Sequence, residues 1–580
     1  MRIFSVLAAG GVLAGLAGGA VAQTSDELRH SAGSGDVLTH GMGYGLQRFS
    51  TLAQINKDTV RRLVPRWAYS LADDRGQEAQ PLVRDGVIYF TTHNATMAVD
   101  ALTGQQLWKD TIEYPPEMAK LACCGIVNRG AAMQDGVLFR TTLDAYVMAL
   151  DAKSGKVLWK SKAIDVAEGY SMTVAPLVAD GVVITGISGG EYGTRGFIDG
   201  WNPADGKHLW RRYTTAMPNE PGGDTWPGDT AKRGGAPAWI TGSYDPDLGL
   251  VYWGTGNGGP WNAEFRKGDN LYICSVLALR PKTGELVWHY QFSPNDPYDY
   301  DGVNELVQAE LPVDGKPRKV IMQANRNGFF YVLDRMDGTL IAANPFVKVN
   351  WADKIDLKTG RPVDSAVTKA MRTEGGTHEI WPSALGGKNW MPMSFNPGTG
   401  LAYANTLNIG FPYTPLQPEY RQGTFYLGAD LTGWAFPKDE PYGYLKAIEP
   451  LTGKARWQVA WDIPSFAGTM TTAGGLVFTG NMRGEFAAFD AENGHKLWGF
   501  QTGSGIIGQP VVWAKDGKEY VTVASGIGGV YPLFSGDERL SSVPAGGSLW
   551  TFGIMPDQQA ADAGALPTAA PAAIQAQAAR

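Results

Sequence analysis

Cysteine is scarce in this chain of 580 residues, which contains only three. Cys123 and Cys124 are adjacent, and the third is Cys274. This spacing provides neither a zinc site nor the C-x-x-C-H run to which haem is attached. Long apolar runs are also missing beyond the N-terminal segment, so the sequence predicts no membrane span in the body of the protein. A net charge of −7 gives no electrostatic footprint for nucleic acid and does not suggest adhesion to anionic membranes.

Residues 1–22 have the pattern of a secretory signal peptide. Arg2 is followed by an apolar run of small residues and by an A-x-A-like cleavage site that ends at Ala22. The run is too short and too rich in Gly and Ala for a strong membrane span. We therefore expect a soluble exported protein, and an oxidising compartment allows Cys123–Cys124 to be a disulfide. The Ala/Pro-rich tail, residues 557–580, is expected to be disordered.

A repeated template is the strongest pattern in the sequence. In "AVDALTGQQLW" an apolar strand is followed by a tight turn with Gly, and a second strand carries a Trp. Another hairpin precedes most copies, so each unit contains about four strands. The copies occupy residues 98–108, 149–159, 200–210, 278–288, 447–457 and 488–498, with a degenerate copy at 331–341.

Four-stranded units at this spacing predict an all-β fold, an eight-bladed β-propeller spanning residues 23–556. Seven blades come from the template copies. An eighth hairpin pair at 509–525, followed by the strand at 546–554, lacks its last strand. Residues 62–71 resemble an orphan last strand, and we expect them to complete the eighth blade and close the ring. Closure would remove an exposed sheet edge.

The recurring tryptophans and the long gaps between repeats have different expected roles. Each Trp is expected to pack between neighbouring blades, with its indole N–H bonded to a backbone carbonyl. These residues are Trp108, Trp159, Trp210, Trp288, Trp457 and Trp498. The gaps predict long loops at 213–236 and 408–440 on one face of the ring, where function usually lies.

Four motifs between the repeats carry a family resemblance. They are "CCGIVNRG" (123–130), "GISGGEYG" (186–193), "GTGNGGPWN" (254–262) and "YDYDGVNE" (298–305). Together with the Trp-bearing repeats, they resemble the pyrroloquinoline quinone (PQQ) alcohol dehydrogenases over residues 35–555. The resemblance implies a periplasmic eight-bladed quinoprotein that oxidises primary alcohols to aldehydes. Since no haem motif is present, it also implies a separate c-type cytochrome as electron acceptor.

The same resemblance implies a metal site. In the family pattern, Glu191 and Asn257 bind the ion and Asp299 is the catalytic base, whereas taken singly they would be turn residues. Asp301 lies two residues after Asp299, so in an extended segment both carboxylates point the same way and repel unless a positive charge separates them. Lanthanide-dependent members carry Asp at this position, and calcium-dependent members usually carry a small uncharged residue. The sequence thus favours a lanthanide; the alternative is a calcium enzyme in which Asp301 caps a turn before Gly302.

The resemblance also implies how PQQ is held. Trp239 forms the floor beneath the planar ring and the Cys123–Cys124 disulfide forms the lid, while Arg129 meets a PQQ carboxylate. Arg326 lies near the reactive quinone oxygens. The further cofactor contacts implied are Glu78, Thr173, Ser188, Gly189, Gly190 and Asn389.

The implied mechanism has three parts. The metal polarises a quinone carbonyl, Asp299 takes the alcohol proton, and Arg326 stabilises negative charge on the quinone oxygens. Trp261 is a candidate pocket wall, and the loop 408–440 is a candidate to narrow the entrance. The preferred alcohol stays open, and a homodimer is a family-level expectation only.

Departures from the family pattern and rival functions complete the sequence interpretation. Ala236-Pro237 and Phe466 differ from the residues usual in the family, which puts individual PQQ contacts in doubt, and Cys274 is expected to be an inert core thiol. One rival function is a non-catalytic periplasmic propeller that serves as an assembly scaffold. Another is a membrane-anchored sugar dehydrogenase, which the lack of membrane spans disfavours.

Overall fold

Antiparallel sheets of four consecutive strands dominate the computed structural model, which describes residues 25–430 and 432–556. The predicted signal peptide and the predicted disordered tail lie outside these residues. Inner strands such as Val182–Gly186 are buried at every position, because neighbouring sheets cover both of their faces. Outer strands such as Gln106–Thr111 alternate between exposed and half-buried residues, as expected for strands with one solvated face. The all-β propeller class predicted from the sequence is confirmed.

The described residues contain eight such sheets, numbered here in chain order. Sheet 1 comprises Leu82–Arg84, Val87–Thr91, Ala95–Asp100 and Gln106–Thr111, and sheet 2 comprises Ala132–Gln134, Val137–Thr141, Tyr146–Asp151 and Val157–Lys162. Sheet 3 comprises Leu177–Ala179, Val182–Gly186, Phe197–Trp201 and His208–Tyr213. Sheet 4 comprises Ser243–Asp245, Leu250–Gly254, Ser275–Leu279 and Leu286–Gln291. Sheet 5 comprises Val307–Val313, Lys316–Ala324, Phe329–Asp334 and Leu340–Pro345, and sheet 6 comprises Ser394–Asn396, Leu401–Leu407, Gly443–Ile448 and Ala455–Trp461. Sheet 7 comprises Met470–Thr472, Leu476–Gly480, Glu485–Asp490 and Lys496–Gln501. Sheet 8 comprises Val511–Lys515, Lys518–Ser525, Ser548–Ile554 and Leu63–Ser70.

The remaining elements are short. The helices are α1 (Ser25–Arg29), α2 (Met118–Leu121), α3 (Ala366–Glu374) and α4 (Val530–Ser535). None of the helices described is long and apolar enough to cross a membrane. Two small sheets lie outside the repeats, one formed by Ala352–Asp356 and Arg361–Asp364, the other by His378–Ile380, Phe411–Pro415 and Ala429–Asp430.

The N-terminal part of the chain contacts the far end of the sequence. Strand Leu63–Ser70 pairs antiparallel with Ser548–Ile554 and is the outer strand of sheet 8. This is the segment that the sequence analysis identifies as an orphan last strand. Upstream of it, residues 35–50, called here the plug segment, form backbone hydrogen bonds to the first strands of sheets 1, 4, 5, 6, 7 and 8. Phe49–Ser50 adds a parallel fifth strand to sheet 7.

Tryptophans of six of the eight described sheets form a hydrogen bond to the next sheet, and five of these six are among the predicted ones. A donor indole N–H on an outer strand reaches a backbone carbonyl in the turn, or at the start of the strand, of the following sheet. The pairs are Trp67–Ala101, Trp108–Ala152, Trp159–Pro203, Trp210–Pro281, Trp457–Ala491 and Trp498–Leu63, at 2.9–3.1 Å. Trp288 differs, because its Nε1 has no hydrogen-bond partner among the described residues. Its ring nevertheless packs against Gly338.

Truncating the tryptophan between sheets 8 and 1 tests this packing. Trp67 lies against Gly104, where a Cβ would come within 2.7 Å of the indole, so no other side chain fits there. We expect Trp67→Ala to lower the free energy of unfolding by about 2 kcal/mol in denaturant titrations, less than for a fully buried aromatic residue because Trp67 is half-buried. The control is Leu158→Ala, since Leu158 is 50% exposed on an outer strand and should change stability by at most about 0.5 kcal/mol. Equal effects of the two substitutions would contradict the docking role.

Candidate active site

The predicted site residues converge because of how the antiparallel strands run. The start of a first strand and the end of a second strand lie at the same end of a sheet. Loops before first strands and after second strands therefore open on one face. The first kind of loop carries Glu78, Arg129, Thr173, Trp239, Asp299, Asp301 and Asn389, and the second kind carries Glu191, Asn257 and Arg326.

These loops surround a cavity of about 610 Å³. Of the residues predicted to contact PQQ or metal, those that line it are Glu78, Cys123, Cys124, Arg129, Thr173, Ser188, Gly189, Glu191, Trp239, Asp299, Asp301, Arg326 and Asn389. Gly190 and Asn257 lie behind this wall in contact with each other, since a Cβ on Gly190 would come within 2.8 Å of the side-chain amide of Asn257. The predicted pocket wall Trp261 also lines the cavity.

Arg326 lies between two carboxylates at one end of the cavity. Its Nη1 donates to Asp301 Oδ2 and its Nη2 to Asp299 Oδ2, both at 2.7 Å. Asp301 Oδ2 also accepts the indole N–H of Trp239 at 2.9 Å, and Asp301 Oδ1 accepts the backbone N–H of Asn257. The positive charge that two adjacent carboxylates require is thus supplied in part by this guanidinium.

Asp299 is held in an unusual way. Its φ of 66° places a non-glycine residue in the left-handed region, which costs free energy although Asp adopts it more readily than most residues. Its Oδ1 atom is buried and has no hydrogen-bond partner among the described residues. Burial raises the pKa of Asp299 well above its ordinary value, Arg326 opposes this shift, and Asp301 and Glu191 add to it.

The site contains more negative than positive charge. Glu191, in the short turn Gly190–Tyr192, has a pKa raised to about 7 by burial and by the Asp301 carboxylate. Burial likewise raises the pKa of Asp301, against the influence of Arg326. Three carboxylates thus share one guanidinium. The raised pKa values and the unpartnered Asp299 Oδ1 are features that a cation bound among these oxygens would relieve.

Asn257 is fully buried beside these carboxylates. With its amide oriented to satisfy both ends, Oδ1 accepts from Trp261 Nε1 at 2.8 Å and Nδ2 lies 3.3 Å from Asp301 Oδ1. Within residues 25–430 and 432–556, no three Asp, Glu, His or Cys side chains stand close enough together to form a metal site by themselves. The oxygen donor set fits a hard cation in its chemistry, while Asp299 and Asp301 are oriented towards Arg326.

At another part of the wall, Arg129 is surrounded by acceptors and aromatic rings. Its Nη2 contacts Glu78 Oε2 at 2.8 Å and its Nη1 donates to Thr173 Oγ1 at 2.5 Å. The guanidinium lies 4.7 Å from the centre of the Trp239 ring and 5.7 Å from that of Trp390. A guanidinium fixed between hydroxyl, carboxylate and indole groups at a cavity wall fits the recognition of a planar, carboxylate-bearing ligand.

The adjacent cysteines form the predicted disulfide, and Cys124 has φ 69°. Both line the cavity, so the bridge forms part of its wall. Cys274 is a free, fully buried thiol in the core, as predicted.

Asn389 and the positions that depart from the family pattern, Ala236-Pro237 and Phe466, differ in their relation to the cavity. Asn389 lines the cavity, but its amide is bonded to the backbone of Leu385 and Trp390. Ala236 has φ 56°, and Pro237 packs against Gly190. Phe466 stacks on Tyr531 with ring centres 5.5 Å apart and is not among the lining residues.

Much of the apolar lining of the cavity carried no individual prediction, including Phe425 and Phe534, which are 47% and 48% exposed and lie at its mouth. The apolar lining residues without an individual prediction are Val127, Ala384, Leu385, Trp390, Phe411, Phe425, Leu427, Ala429, Trp434, Val530 and Phe534. Five of them lie in the loop 408–440, which the sequence marks as an insertion at the functional face. No pattern in the sequence pointed to helix α4 as part of the site. The backbone carbonyl of Phe534 in this helix accepts the indole N–H of Trp434 at 3.1 Å, which connects the helix to the loop 408–440.

Known proteins match this chain over most of its length. The PQQ family described as glucose/ethanol/alcohol dehydrogenase, beta-propeller domain, matches residues 39–350 and 427–521. The quinoprotein alcohol dehydrogenase PedH of Pseudomonas putida is 42% identical over 93% of this chain and 94% of its own length. The lanthanide-dependent methanol dehydrogenase of Methylacidiphilum fumariolicum is 40% identical over 91% and 90%.

Solved structures agree with these matches. The europium-containing methanol dehydrogenase superposes with a TM-score of 0.87 at 37% identity and covers 91% of this chain and 100% of its own. The quinohemoprotein alcohol dehydrogenase of Comamonas testosteroni gives 0.87 at 36% identity, over 92% and 83%. The chain belongs to the PQQ-dependent quinoprotein alcohol dehydrogenases, a family of β-propeller enzymes.

Proposed function

We propose that this protein oxidises primary alcohols to aldehydes with PQQ and a bound lanthanide ion. The observation that carries this proposal is the excess of carboxylates over guanidinium at one end of the cavity. Glu191, Asp299 and Asp301 share Arg326 as their nearby cation. A cation of high charge would compensate this excess better than a divalent one.

PQQ would lie between these carboxylates and Arg129. We expect Trp239 on one face and the Cys123–Cys124 disulfide on the other, since all of these groups line the same cavity. Arg129 and Thr173 would meet a cofactor carboxylate. When bound, PQQ supplies the two-electron redox chemistry, and the protein supplies orientation and electrostatics.

Asp299 is the proposed general base. Its unpartnered Oδ1 faces no competing donor among the described residues, so it is available to accept the alcohol proton. Arg326, which already donates to Oδ2 of Asp299, fixes the carboxylate and is placed to stabilise negative charge beside it. The apolar rings at the cavity mouth would exclude water from this step.

Asp301 supports the lanthanide over calcium. It adds a second carboxylate next to that of Asp299. Its oxygens accept hydrogen bonds from the backbone N–H of Asn257 and from Arg326. The relative of Methylacidiphilum fumariolicum is named lanthanide-dependent, while other relatives are named only quinoprotein ethanol dehydrogenases. Calcium dependence is the alternative, and titration of the PQQ-loaded protein with each metal separates the two.

We further infer the organisation of the whole chain. A signal peptide at 1–22 would direct export to the periplasm, a c-type cytochrome would accept the electrons, and residues 557–580 would form a disordered tail. The propeller of residues 23–556 would have eight blades in a closed ring. Antiparallel pairing of Leu63–Ser70 with Ser548–Ile554 and the Trp67–Ala101 hydrogen bond support closure. A homodimer stays a family-level expectation.

Cofactor dependence tests the function. Apo-protein is incubated with PQQ and either lanthanum or calcium, freed of unbound cofactor, and assayed with ethanol and an artificial electron acceptor. We expect turnover only in samples that received PQQ, and none when NAD⁺ replaces it. Turnover that is independent of PQQ, or its absence with both metals, would contradict the proposal.

Reduction of the disulfide separates its role at the site from a role in stability. A bridge between neighbouring residues closes almost no loop, so it adds little chain-entropy stabilisation. We expect mild reduction, or Cys123→Ser with Cys124→Ser, to lower turnover strongly while the melting temperature changes by at most about 1 °C, on the scale of surface substitutions. Cys274→Ser is the matched control for the loss of a thiol. A large drop in melting temperature with normal turnover would reverse the assignment.

A further inference from the structure

The plug segment, residues 35–50, carries a buried charge, the guanidinium of Arg48, next to the first strands of the sheets. Arg48 is 1% exposed, and its backbone is fixed by hydrogen bonds to Gly41 and Thr471. Its Nη2 donates to Gln509 Oε1 at 2.7 Å and to His40 Nε2 at 3.1 Å. Both of these partners are neutral groups, so they satisfy a hydrogen bond without compensating the charge.

The carboxylates nearby are already paired with other cations. Glu305 Oε2 accepts from Lys388 Nζ at 2.8 Å, and its Oε1 accepts the backbone N–H of Met393. Glu78 is paired with Arg129. Burial lowers the pKa of Arg48 to about 10, so the side chain stays protonated at neutral pH. A buried charge without a counter-charge costs free energy. Here the guanidinium of Arg48 is left without a carboxylate of its own.

Several N–H groups around Arg48 also lack acceptors. Among the described residues, Arg48 Nε and Nη1 and His40 Nδ1 are buried without a hydrogen-bond partner. Because Nη2 of Arg48 is a donor, His40 Nε2 must accept and Nδ1 carries the ring proton. Both residues line a cavity of about 10 Å³, which Arg129 and Glu305 also border. Two guanidinium groups and one carboxylate, that of Glu305, thus border the cavity, so its wall has a net positive charge. The plug segment closes the cavity on one side.

We propose that this cavity binds a single chloride ion. A monatomic anion can accept hydrogen bonds from several N–H groups at once, and it supplies the negative counter-charge that Arg48 lacks. The cavity has room for one water molecule or one monatomic ion, and the guanidinium charge left without a carboxylate favours the anion. The bound ion would connect the plug segment to the ring next to Arg129. This inference does not depend on the proposed catalytic function.

A bromide soak identifies the ligand directly. Crystals of the full enzyme are grown in sodium bromide, and anomalous differences are measured at the bromine absorption edge. We expect one anomalous peak within contact distance of the Arg48 guanidinium and His40 Nδ1. Density without anomalous signal would identify water instead and would overturn the proposal.

Thermal unfolding shows whether the ion is a ligand in solution or an adventitious ion only. Unfolding is followed in chloride and in gluconate at equal ionic strength. We expect chloride at about 100 times its dissociation constant to raise the melting temperature by about 2 °C, given mass action and the size of the chain. Arg48→Met should abolish this dependence. If that variant does not fold, the chloride dependence of the wild type and the bromide map decide the question.

The matched control is another buried arginine. Arg140 is fully buried, and its Nε, Nη1 and Nη2 all donate to oxygens of sheets 1 and 2 and their adjoining turns. Arg140→Met should lower the melting temperature and leave its chloride dependence intact. Equal melting curves of the wild type in chloride and gluconate would overturn the proposal.

Discussion

Asp299→Asn is expected to lower kcat by about 10³-fold, within the range for loss of a general base, while the protein keeps its fold and its PQQ. The amide retains the shape of the side chain and can still accept from Arg326, whose Nη2 lies 2.7 Å from Asp299 Oδ2. It cannot accept a proton from the substrate. Stopped-flow reduction of the bound cofactor by ethanol measures the affected step, and cofactor absorbance measures PQQ retention.

A buried aspartate away from the cavity is the control for Asp299→Asn. Asp245 is 1% exposed and contacts Arg335 Nε at 2.7 Å, so it is also buried and paired with an arginine. Asp245→Asn should lower the melting temperature and leave kcat unchanged. A kcat of Asp299→Asn close to the wild-type value, with PQQ retained, would remove Asp299 from the role of base.

Asp301→Ala is expected to lower the apparent affinity for lanthanum by about 100-fold or more, since substitutions of residues outside the first ligand shell already reach that range. The carboxylate adds one negative charge beside Asp299, Glu191 and Asn257, and a trivalent ion depends on it more than a divalent ion does. Lanthanum and calcium titrations of PQQ-loaded variant and wild type measure the change. Activity with calcium should fall less than activity with lanthanum.

The comparison of two metals distinguishes a ligand from a structural residue. Asp301 also accepts from Trp239 Nε1 and Arg326 Nη1, so its removal could disturb the wall of the cavity. Such a disturbance would lower activity with both metals equally. A parallel loss for lanthanum and calcium, together with a lower melting temperature, would contradict the ligand role.

Local patterns in the sequence predicted the parts of the fold that depend on them. The turn between strands, the glycine in it and the following Trp are each encoded within about ten residues, so the sheets and the indole contacts could be derived. Trp288 shows the limit of this reasoning. Its sequence context matches the other copies, but the position of the next sheet leaves its Nε1 without an acceptor in the described part of the chain.

The candidate site was harder to derive from local patterns. Arg326 follows Asp301 by 25 residues, and the antiparallel pairing of Val307–Val313 with Lys316–Ala324 in sheet 5 brings its guanidinium between two carboxylates. Phe534 and Trp434 are 100 residues apart and meet at the cavity mouth through a single hydrogen bond. The plug segment carried no motif, because its contacts to six separate sheets are made by backbone hydrogen bonds that do not depend on residue type.

Reconstitution of the metal-free wild type with PQQ tests the central claim, that the carboxylates around Arg326 bind a lanthanide at the cofactor. Apo-protein is loaded with PQQ and with lanthanum, calcium or no metal, and ethanol oxidation is followed with an artificial acceptor. We expect high turnover with lanthanum, low turnover with calcium and none without metal. Full turnover with calcium alone, unchanged by lanthanum, would contradict it.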